Sequence, residues 1–409
     1  MSSPLIERLR RFMGQGSSLR GNKADKRSAD RSIATGLSAR KLWRKIHLYI
    51  ALTVGIMFAF SGLTGSLLVF YQDIDEYFNP ALLTVDPAND YVPLTDITAA
   101  AQAAVPDEAR LTRLYFPRHA QAAMKLRFSV PIGEEDSVLE MMINPFTAEI
   151  LGQREYGSYL MSFIYKLHYT LVLGDIGKKF MGVMGLMLLS SVLSGLYLWW
   201  PKLSNLFRAL TFKRSVNQLR FIYDLHKTIG IYISVVLIVI ALSGVYMIFP
   251  HYVKPLVGMV SPLTQVGPAE FSRTIGTVAQ RPNINEISNI AHHLFPKAKL
   301  QRIYFPLSAG DPYRVIMRQH NEVRKTSGST QLWINSSDGK VLSVQQPQTM
   351  GAGDAFINWM YPLHNGEAFG LLGRIIVFVT GISLVTLYIT GLMIWWRKYK
   401  DSANRKVIA

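Results

Sequence analysis

Four long apolar stretches constrain this sequence more than any other feature. Residues 42–71, 179–200, 221–249 and 374–396 each offer the roughly 20 residues that a helix needs to cross the hydrocarbon core of a bilayer. Four such stretches with so few charges are not typical of helices buried in a soluble protein. The first is too long for the core of a signal peptide and lacks a convincing cleavage site. We therefore predict a membrane protein with four transmembrane helices.

The distribution of charge predicts the orientation of these helices. The 409-residue chain has a formal net charge of +17, which alone would suggest a nucleic-acid partner. However, residues 1–45, 201–220 and 397–409 hold 22 Lys and Arg against 4 acids, and the rest of the chain sums to −1. These segments share one side of a four-span topology, so the positive-inside rule makes both termini and the middle loop cytoplasmic. The partner implied is the lipid bilayer of a bacterial inner membrane, and no nucleic acid is expected.

An internal repeat is the second feature that organises the sequence. A shift of 179 residues places His47 on His226, and a shift of 196 places His168 on His364. The second shift also aligns glycines and a Trp-Trp pair: Gly174, Gly177, Gly185, Gly195 and Trp199-Trp200 fall on Gly370, Gly373, Gly381, Gly391 and Trp395-Trp396. Each copy is predicted to contain a span, a small α+β domain, an amphipathic segment and a second span. Because the copies have the same orientation, their pseudo-twofold axis should lie along the membrane normal.

The repeat gives a division of the whole chain. The cytoplasmic segments are a disordered basic tail (1–41), a basic loop (201–220) and a C-terminal tail (397–409). The membrane and periplasmic segments are the spans 42–71, 179–200, 221–249 and 374–396, two α+β domains at 72–155 and 250–352, and interfacial helices at 156–178 and 353–373. Within the two domains, apolar periodicity predicts helices at 97–105 and 284–294 and strands at 126–130, 140–144, 314–317 and 331–335.

The four repeated histidines are the candidate functional residues. His47 and His226 begin the first and third spans, and small residues share their helical face: Ala51, Gly55, Gly62 and Gly65 in one copy, and Gly230, Ser234, Ala241 and Gly244 in the other. His168 and His364 each end an apolar stripe on the interfacial helices. The small residues fit either a groove for a flat porphyrin or close packing of membrane helices. Duplication of the histidines and of the groove favours a site.

A twofold axis along the membrane normal places His47 level with His226 and His168 level with His364. Each pair could supply both axial ligands of one haem, which predicts two bis-histidine sites at different depths and an electron path across the membrane. One haem within each copy is the alternative pairing. Zinc fits less well, because no further ligand is repeated nearby. The chain has no cysteine, so the predicted cofactor is non-covalent haem b, two per chain.

Other repeated or clustered residues have two interpretations each. Lys178 and Arg374 align under the repeat and are either haem propionate partners or interfacial cations. Aromatic residues near the periplasmic ends of the spans either form a docking surface for an electron acceptor or belong to the interfacial belt: Tyr156, Tyr159, Tyr165, Tyr169, Phe356, Trp359 and Tyr361. The cytoplasmic segments are too short for a flavin or nicotinamide domain, so the expected electron donor is a quinol or a separate cytoplasmic reductase.

These motifs resemble the PepSY-associated transmembrane family over about residues 40–400. The resemblance rests on Trp43-Arg-Lys-Ile-His47, on the Leu-His pairs before spans two and four, and on the Gly-Leu-…-Trp-Trp ends of those spans. It implies two PepSY-like periplasmic domains and an inner-membrane haem oxidoreductase of the ferrioxamine-reductase type, with His47, His168, His226 and His364 as ligands. Such a protein would reduce Fe(III) in a periplasmic ferric siderophore and release Fe(II) for iron uptake.

Two other functions remain open at this point. The chain could be a non-enzymatic membrane protein whose PepSY domains bind a peptide or another partner, with histidines that serve helix packing. It could also be a haem cytochrome that reduces some other periplasmic acceptor. A haem absorption spectrum would distinguish a haem protein from the non-enzymatic alternative. Reoxidation of the reduced protein by ferric siderophores would distinguish a siderophore reductase from a cytochrome with another acceptor.

Overall fold

The computed structural model describes residues 18–132, 135–205, 207, 210, 211, 217–264 and 281–408. The helices are α1 Ser18–Val69, α2 Tyr71–Phe78, α3 Pro80–Leu83, α4 Leu94–Ala103, α5 Leu160–Thr170, α6 Gly174–Trp199, α7 Gln218–Ile248, α8 Pro250–Val260, α9 Ile284–Leu294, α10 Ala352–Asn365 and α11 Gly370–Ile408. The strands are β1 Arg110–Tyr115, β2 Met124–Ile132, β3 Glu135–Ile143, β4 Ile150–Glu155, β5 Lys299–Tyr304, β6 Tyr313–Arg318, β7 Thr330–Ile334 and β8 Val341–Gln345.

Four of these helices are long and apolar enough to cross a bilayer, which confirms the predicted membrane protein with four apolar helices. The qualifying segments are Ala39–Val69, Gly174–Trp199, Gln218–Ile248 and Glu367–Asn404. Successive segments run in opposite directions. The ends near Ala39, Trp199, Gln218 and Asn404 therefore share one side, the tail side, and the opposite ends share the side that carries the strands, the sheet side.

The four long helices pack in a ring. Helix α1 contacts α6 and α11, and α7 contacts the same two neighbours, so α1 and α7 face each other across the bundle. The backbones of α1 and α11 approach closely at Gly62 and Gly381, where an added Cβ on Gly62 would lie 2.5 Å from the Gly381 carbonyl oxygen. Ser66 strengthens this contact by donating a hydrogen bond to the Phe378 carbonyl. Small residues thus let two membrane helices approach without a gap.

On the sheet side, both halves of the chain build one antiparallel sheet. Its strand order is β4-β3-β2-β1-β5-β6-β7-β8, and β1 pairs with β5 at the centre. Two small domains were expected from the sequence, whereas the structure joins two four-stranded halves edge to edge. One apolar cluster runs under both halves, with Leu114, Phe128, Ile303 and Val315 buried among residues from α4 and α9. Pairing β1 with β5 satisfies two strand edges that separate domains would expose.

The two halves contain the same order of elements. A long helix is followed by short helices (α2 to α4 in the first half, α8 and α9 among the described residues of the second), four strands, an amphipathic helix (α5 or α10) and a second long helix. The helix predicted at 284–294 has the observed bounds, and the predicted strand segments lie within β2, β3, β6 and β7 or end one residue beyond them. The strands β1, β4, β5 and β8 complete the two four-stranded halves.

Several boundaries differ from the sequence prediction. Helix α1 begins at Ser18, so residues 18–41 are helical where a disordered tail was expected; residues 1–17 lie outside the described residues. Ala, Arg, Lys and Leu are common in this segment and have high helix propensity. The predicted C-terminal tail likewise continues helix α11 to Ile408. The interfacial helices are shorter than predicted, since Leu171 and Gly366 end them in left-handed conformations.

Candidate functional site

The tail-side histidine pair consists of His47 on α1 and His226 on α7. Their ring centroids lie 6.5 Å apart and the ring planes are nearly perpendicular, at 89°. Because α1 and α7 are opposite each other in the ring of helices, the two imidazoles meet across the interior of the bundle. Both side chains are half-buried. The structure therefore brings together two histidines that are 179 residues apart in the sequence.

The sheet-side histidine pair consists of His168 on α5 and His364 on α10. Their ring centroids lie 6.4 Å apart at an interplanar angle of 60°. His168 packs against α1 beside Gly65, which follows His47 by 18 residues on the same helix. At a rise of about 1.5 Å per residue, the two histidine pairs are separated by about 27 Å along the bundle. Both pairs join one copy of the repeat to the other, rather than forming within a copy.

Hydrogen bonds at Nδ1 fix the tautomer of two rings. His47 Nδ1 lies 3.0 Å from the Ser191 carbonyl oxygen, and His364 Nδ1 lies 3.0 Å from the Ile240 carbonyl oxygen. A carbonyl oxygen can only accept a hydrogen bond, so in a neutral ring Nδ1 carries the proton. The lone pair is then on Nε2, which is the nitrogen left to bind a metal ion.

Hydroxyl groups place the proton on Nδ1 in the other two rings as well. Thr390 donates its proton to the Thr386 carbonyl oxygen and accepts a 2.9 Å hydrogen bond from His226 Nδ1. Thr64 donates to the Phe60 carbonyl oxygen and accepts a 3.0 Å hydrogen bond from His168 Nδ1. A hydrogen bond from Nδ1 to a neighbouring oxygen is typical of metal-binding histidines, because it orients the ring and raises its basicity.

Each of the four histidines has a serine or threonine hydroxyl close to its Nδ1 atom. Ser194 contacts His47 as Thr390 contacts His226, and Ser243 contacts His364 as Thr64 contacts His168. These partners were not singled out from the sequence. A signal was present, because Ser194 aligns with Thr390 under the 196-residue shift and Thr64 aligns with Ser243 under the 179-residue shift.

Each histidine ring also packs edge-on against a repeated glycine. An added Cβ would lie 3.0 Å from the imidazole Cε1 at Gly65, 3.1 Å at Gly244, and 3.3 Å at both Gly195 and Gly391. These distances are at or below the usual limit for a carbon contact, so any larger residue would displace the ring. The glycines thus define where the rings lie.

The small residues of α1 do not form one open groove along the helix. A Cβ at Gly55 would lie 2.8 Å from the Tyr388 ring, and Gly62 contacts the backbone of α11. For these two residues the packing interpretation is correct and the expectation of a porphyrin groove is wrong, since α11 already fills the space. Gly65 lies at a histidine ring instead.

The repeated cations have different surroundings in the two halves. Arg374 contacts Asp73 at 2.5 Å and the Val69 carbonyl oxygen at 2.9 Å, and so binds the end of α1. Lys178 is half-buried and forms no salt bridge among the described residues. The structure thus gives Arg374 a role in holding helices together, and the propionate role of both residues stays a prediction.

A buried ionic network lies on the first half of the sheet. Glu140 on β3 is fully buried and is contacted by Lys125 at 3.1 Å and Arg127 at 2.6 Å. Tyr159 donates a 2.8 Å hydrogen bond to its second oxygen. Burial by itself raises the pKa of Glu140, but the two cations and the hydrogen bonds outweigh it and lower the pKa to about 2. This carboxylate is therefore ionised at neutral pH.

The network extends to the helices beside the spans. Arg154 forms a bidentate pair with Asp75 at 2.9 and 2.6 Å, and its guanidinium lies 3.4 Å from the Tyr159 ring centroid. Tyr159 directly precedes α5, which carries His168. The sheet is thereby fixed to the amphipathic helix of the sheet-side histidine pair. The sequence suggested a docking surface or an aromatic belt for Tyr159, and in the structure its contacts with Glu140 and Arg154 connect the sheet to α5.

The bundle, its two histidine pairs and the sheet above them define a membrane protein in which each pair combines histidines from two different helices. The family model described as "PepSY-associated TM region" matches residues 44–398, and the chain belongs to that family. This confirms the resemblance derived from the sequence motifs. The search of curated proteins found no match.

Proposed function

We propose that this protein is a di-haem oxidoreductase that moves electrons across a membrane. The observation that carries the proposal is the spacing of the two histidine pairs. A metal–imidazole bond is about 2.0–2.1 Å long and a ring nitrogen lies about 1.2 Å from its centroid, so two imidazoles on one metal ion have centroids about 6.4–6.6 Å apart. The centroid distances of 6.5 and 6.4 Å agree with this value.

The chemistry of the ligands supports haem over a bare ion. The described residues contain no group of three or more His, Cys, Asp or Glu side chains that could hold a metal ion. Zinc takes three or four protein ligands, which a pair of histidines does not supply. Haem iron takes its four equatorial nitrogens from the porphyrin and needs only two axial ligands from the protein. We assign His47 and His226 to one haem b, and His168 and His364 to the other.

Two sites about 27 Å apart along the bundle suit transfer across a membrane. When bound, haem would supply reversible one-electron chemistry at each depth. The protein residues hold the iron ligands in place: Nδ1 hydrogen bonds fix each ring, and glycines allow it to sit against the neighbouring helix.

The direction of transfer follows from the charge of the chain. The basic segments lie on the tail side, so we place that side in the cytoplasm and the sheet in the periplasm of a bacterial inner membrane. The donor is then a quinol or a separate cytoplasmic reductase. A quinol releases two electrons and two protons, so one quinol would reduce two molecules of a one-electron acceptor.

We propose a periplasmic ferric siderophore as the acceptor. Each chelate would take one electron, so that Fe(III) becomes Fe(II) and the chelator is left chemically intact. The hard oxygen ligands of siderophores bind Fe(III) far better than Fe(II), so reduction releases the metal for uptake. The sheet lies over the sheet-side histidine pair, which supports it as the surface that would receive such a chelate.

Optical spectroscopy with haem quantitation tests the proposal. Purified protein from haem-replete cells should show a Soret band, a sharp α-band after reduction, and two haems per chain. Colourless protein would exclude a haem oxidoreductase and leave the non-enzymatic alternative, in which the sheet binds a peptide or another partner. Dithionite-reduced protein should then be reoxidised by ferric siderophores. If it reacts only with other oxidants, the protein is a cytochrome for a different periplasmic acceptor.

A further inference from the structure

The four central strands of the sheet are strongly basic. Strands β1, β2, β5 and β6 contain eight Lys and Arg and no Asp or Glu: Arg110, Arg113, Lys125, Arg127, Lys299, Arg302, Arg314 and Arg318. One face of these strands packs on α4 and α9 through Leu114, Leu126 and Ile303. Successive side chains of a strand point to opposite faces of the sheet. Five cations therefore lie on the other face: Arg113, Lys125, Arg127, Arg302 and Arg314.

Two tyrosines organise these cations around the β1–β5 junction. The Tyr115 ring is contacted by Lys125 at 4.8 Å and Arg302 at 4.6 Å. The Tyr304 ring is contacted by Arg113 at 5.0 Å and Arg314 at 3.9 Å. Tyr115 pairs with Arg302 and Arg113 pairs with Tyr304 in the strand register, so the arrangement has twofold character. We call these residues, with Arg127, the basic tyrosine cluster.

Three arginines of the cluster lack an acidic partner. In the described part of the chain, Glu140 is the acid that contacts the cluster, through Lys125 and Arg127. Arg113, Arg302 and Arg314 form no salt bridge with the described residues. Arg302 Nη1 donates a 2.8 Å hydrogen bond to the Tyr304 hydroxyl, whereas its Nε atom is buried without a hydrogen-bond partner. Buried donors of this kind normally have a partner, which points to an anion.

The cluster faces the helices that carry the sheet-side histidine pair. Arg127 lies 4.5 Å from the ring centroid of Tyr156, which is followed by α5. Burial raises the pKa of Tyr165 to about 12, and the nearby Arg127 charge opposes that rise. Burial likewise raises the pKa of Tyr361 on α10, and the charge of Arg302 opposes that rise. Tyr165 and Tyr361 precede His168 and His364 by three residues, less than one helical turn.

We propose that the basic tyrosine cluster binds the electron acceptor, and that this acceptor is a polyanionic ferric chelate with aromatic chelating groups, of the tris-catecholate type. The unpaired arginines would neutralise its charge, and Tyr115 and Tyr304 would stack on its rings. The inference rests on the proposed reductase function for its biological meaning. Binding itself requires only the cluster.

The redox-inert Ga(III) complex of a tris-catecholate chelator tests binding without electron transfer. Calorimetry on the full-length protein in neutral-lipid nanodiscs should detect this trianion at lower concentration than the Ga(III) complex of a cationic tris-hydroxamate chelator. Arg302→Gln and Arg314→Gln should each weaken binding of the trianion about tenfold or more, because each removes a charge-assisted hydrogen-bond donor. Arg302→Lys should restore part of the loss. Arg110→Gln, on an exposed residue of the same strand system, is the matched control.

Four results would overturn the proposal. The trianion could bind no tighter than the cationic complex, or bind equally well to the two glutamine variants. The variants could instead lose haem or shift the haem reduction potential while still binding the gallium complex, which would assign the cluster to haem propionates. Displacement of the complex by phosphatidylglycerol would assign it to lipid headgroups. Because gallium is not reduced, the binding of its complex can be measured whether or not the protein carries haem or transfers electrons.

Discussion

The two halves of the chain agree inside the membrane and differ on the sheet. In the bundle, His, Gly and hydroxyl residues occur at corresponding places in both copies, with ring distances of 6.5 and 6.4 Å. On the sheet, Glu140 pairs with Arg127 and Arg154, whereas the corresponding Gln331 pairs with Ile316 and Gln345. The position that carries a buried ionic network in the first half therefore carries neutral residues in the second.

This difference shows which features the paired sites require. A pair with one histidine from each half stays symmetric only if both halves keep the same histidine, orienting hydroxyl and glycine. The sheet has no such requirement, so each half can differ in charge and in its connection to the helices. The first half joins the sheet to α5 through Tyr159 and Glu140. In the second half, Ser329 contacts Asn358 of α10 through a neutral 3.0 Å hydrogen bond.

Removing a histidine should have the largest effect and tests the equivalence of the two halves. His47→Ala and His226→Ala should each abolish the same haem and reduce the content from about two to about one per chain. His168→Ala and His364→Ala should do the same for the other haem. Haem quantitation and reduced spectra measure this, with the exposed His320→Ala as control. Loss of different haems from the two members of a pair would show that each copy holds its own.

Glu140→Gln should destabilise the protein strongly, whereas Gln331→Ala should have little effect. The substitution leaves Lys125 and Arg127 without the buried carboxylate, and breaking a buried ion pair in this way costs about 3–5 kcal/mol. Thermal melts of the protein in detergent measure the difference. Equal losses of stability at the two positions would mean that the ionic network is no more important than its neutral counterpart.

The Glu140 carboxylate should make the stability of the folded protein depend on pH. Its pKa is lowered from an ordinary value of 4.5 to about 2, so its contribution is complete above pH 4.5 and is lost as the pH falls through about 2. Over that interval wild type should lose up to about 3 kcal/mol relative to Glu140→Gln. Melting temperatures at a series of pH values check this. A constant difference between the two proteins would contradict it.

Gly65→Ala and Gly244→Ala should have smaller, matched effects. The added methyl groups would lie 3.0 and 3.1 Å from the imidazole Cε1 atoms of His168 and His364. Overpacking of this kind costs about 1–3 kcal/mol, and the displaced ring should shift the reduction potential of the sheet-side haem. Gly258→Ala, where an added Cβ meets no atom within 4 Å, is the control. Unequal shifts for the two variants would show that the histidine pair is not symmetric.

Local sequence patterns were sufficient to predict the four spans. Long apolar runs are recognisable without tertiary information, and the repeat by itself relates His47 to His226. Helix α9 was predicted with its observed bounds because its apolar periodicity is strong. The histidine partners Ser194 and Thr64 were overlooked, although both align with hydroxyl residues in the other copy.

The joined sheet and its ionic network could not be predicted from local patterns. The pairing of β1 with β5 links residues such as Tyr115 and Arg302 that are far apart in the chain, and strand register is set by such contacts. The position of Glu140 between Arg127 and Arg154 follows in the same way from the pairing of β3 with β2 and β4. The helical state of residues 18–41 was missed because a polar, Ser- and Arg-rich composition suggested disorder.

The β1–β5 junction has a consequence for how such a chain could arise. Leu114 pairs with Ile303, and the flanking residues pair reciprocally, Arg113 with Tyr304 and Tyr115 with Arg302. Strand β1 therefore meets β5 as it would meet another β1, which makes the edge self-complementary. A half-length chain with this strand would form a homodimer through the same edge, and the dimer would complete both histidine pairs. Fusion of two such genes would convert a concentration-dependent assembly into a single molecule.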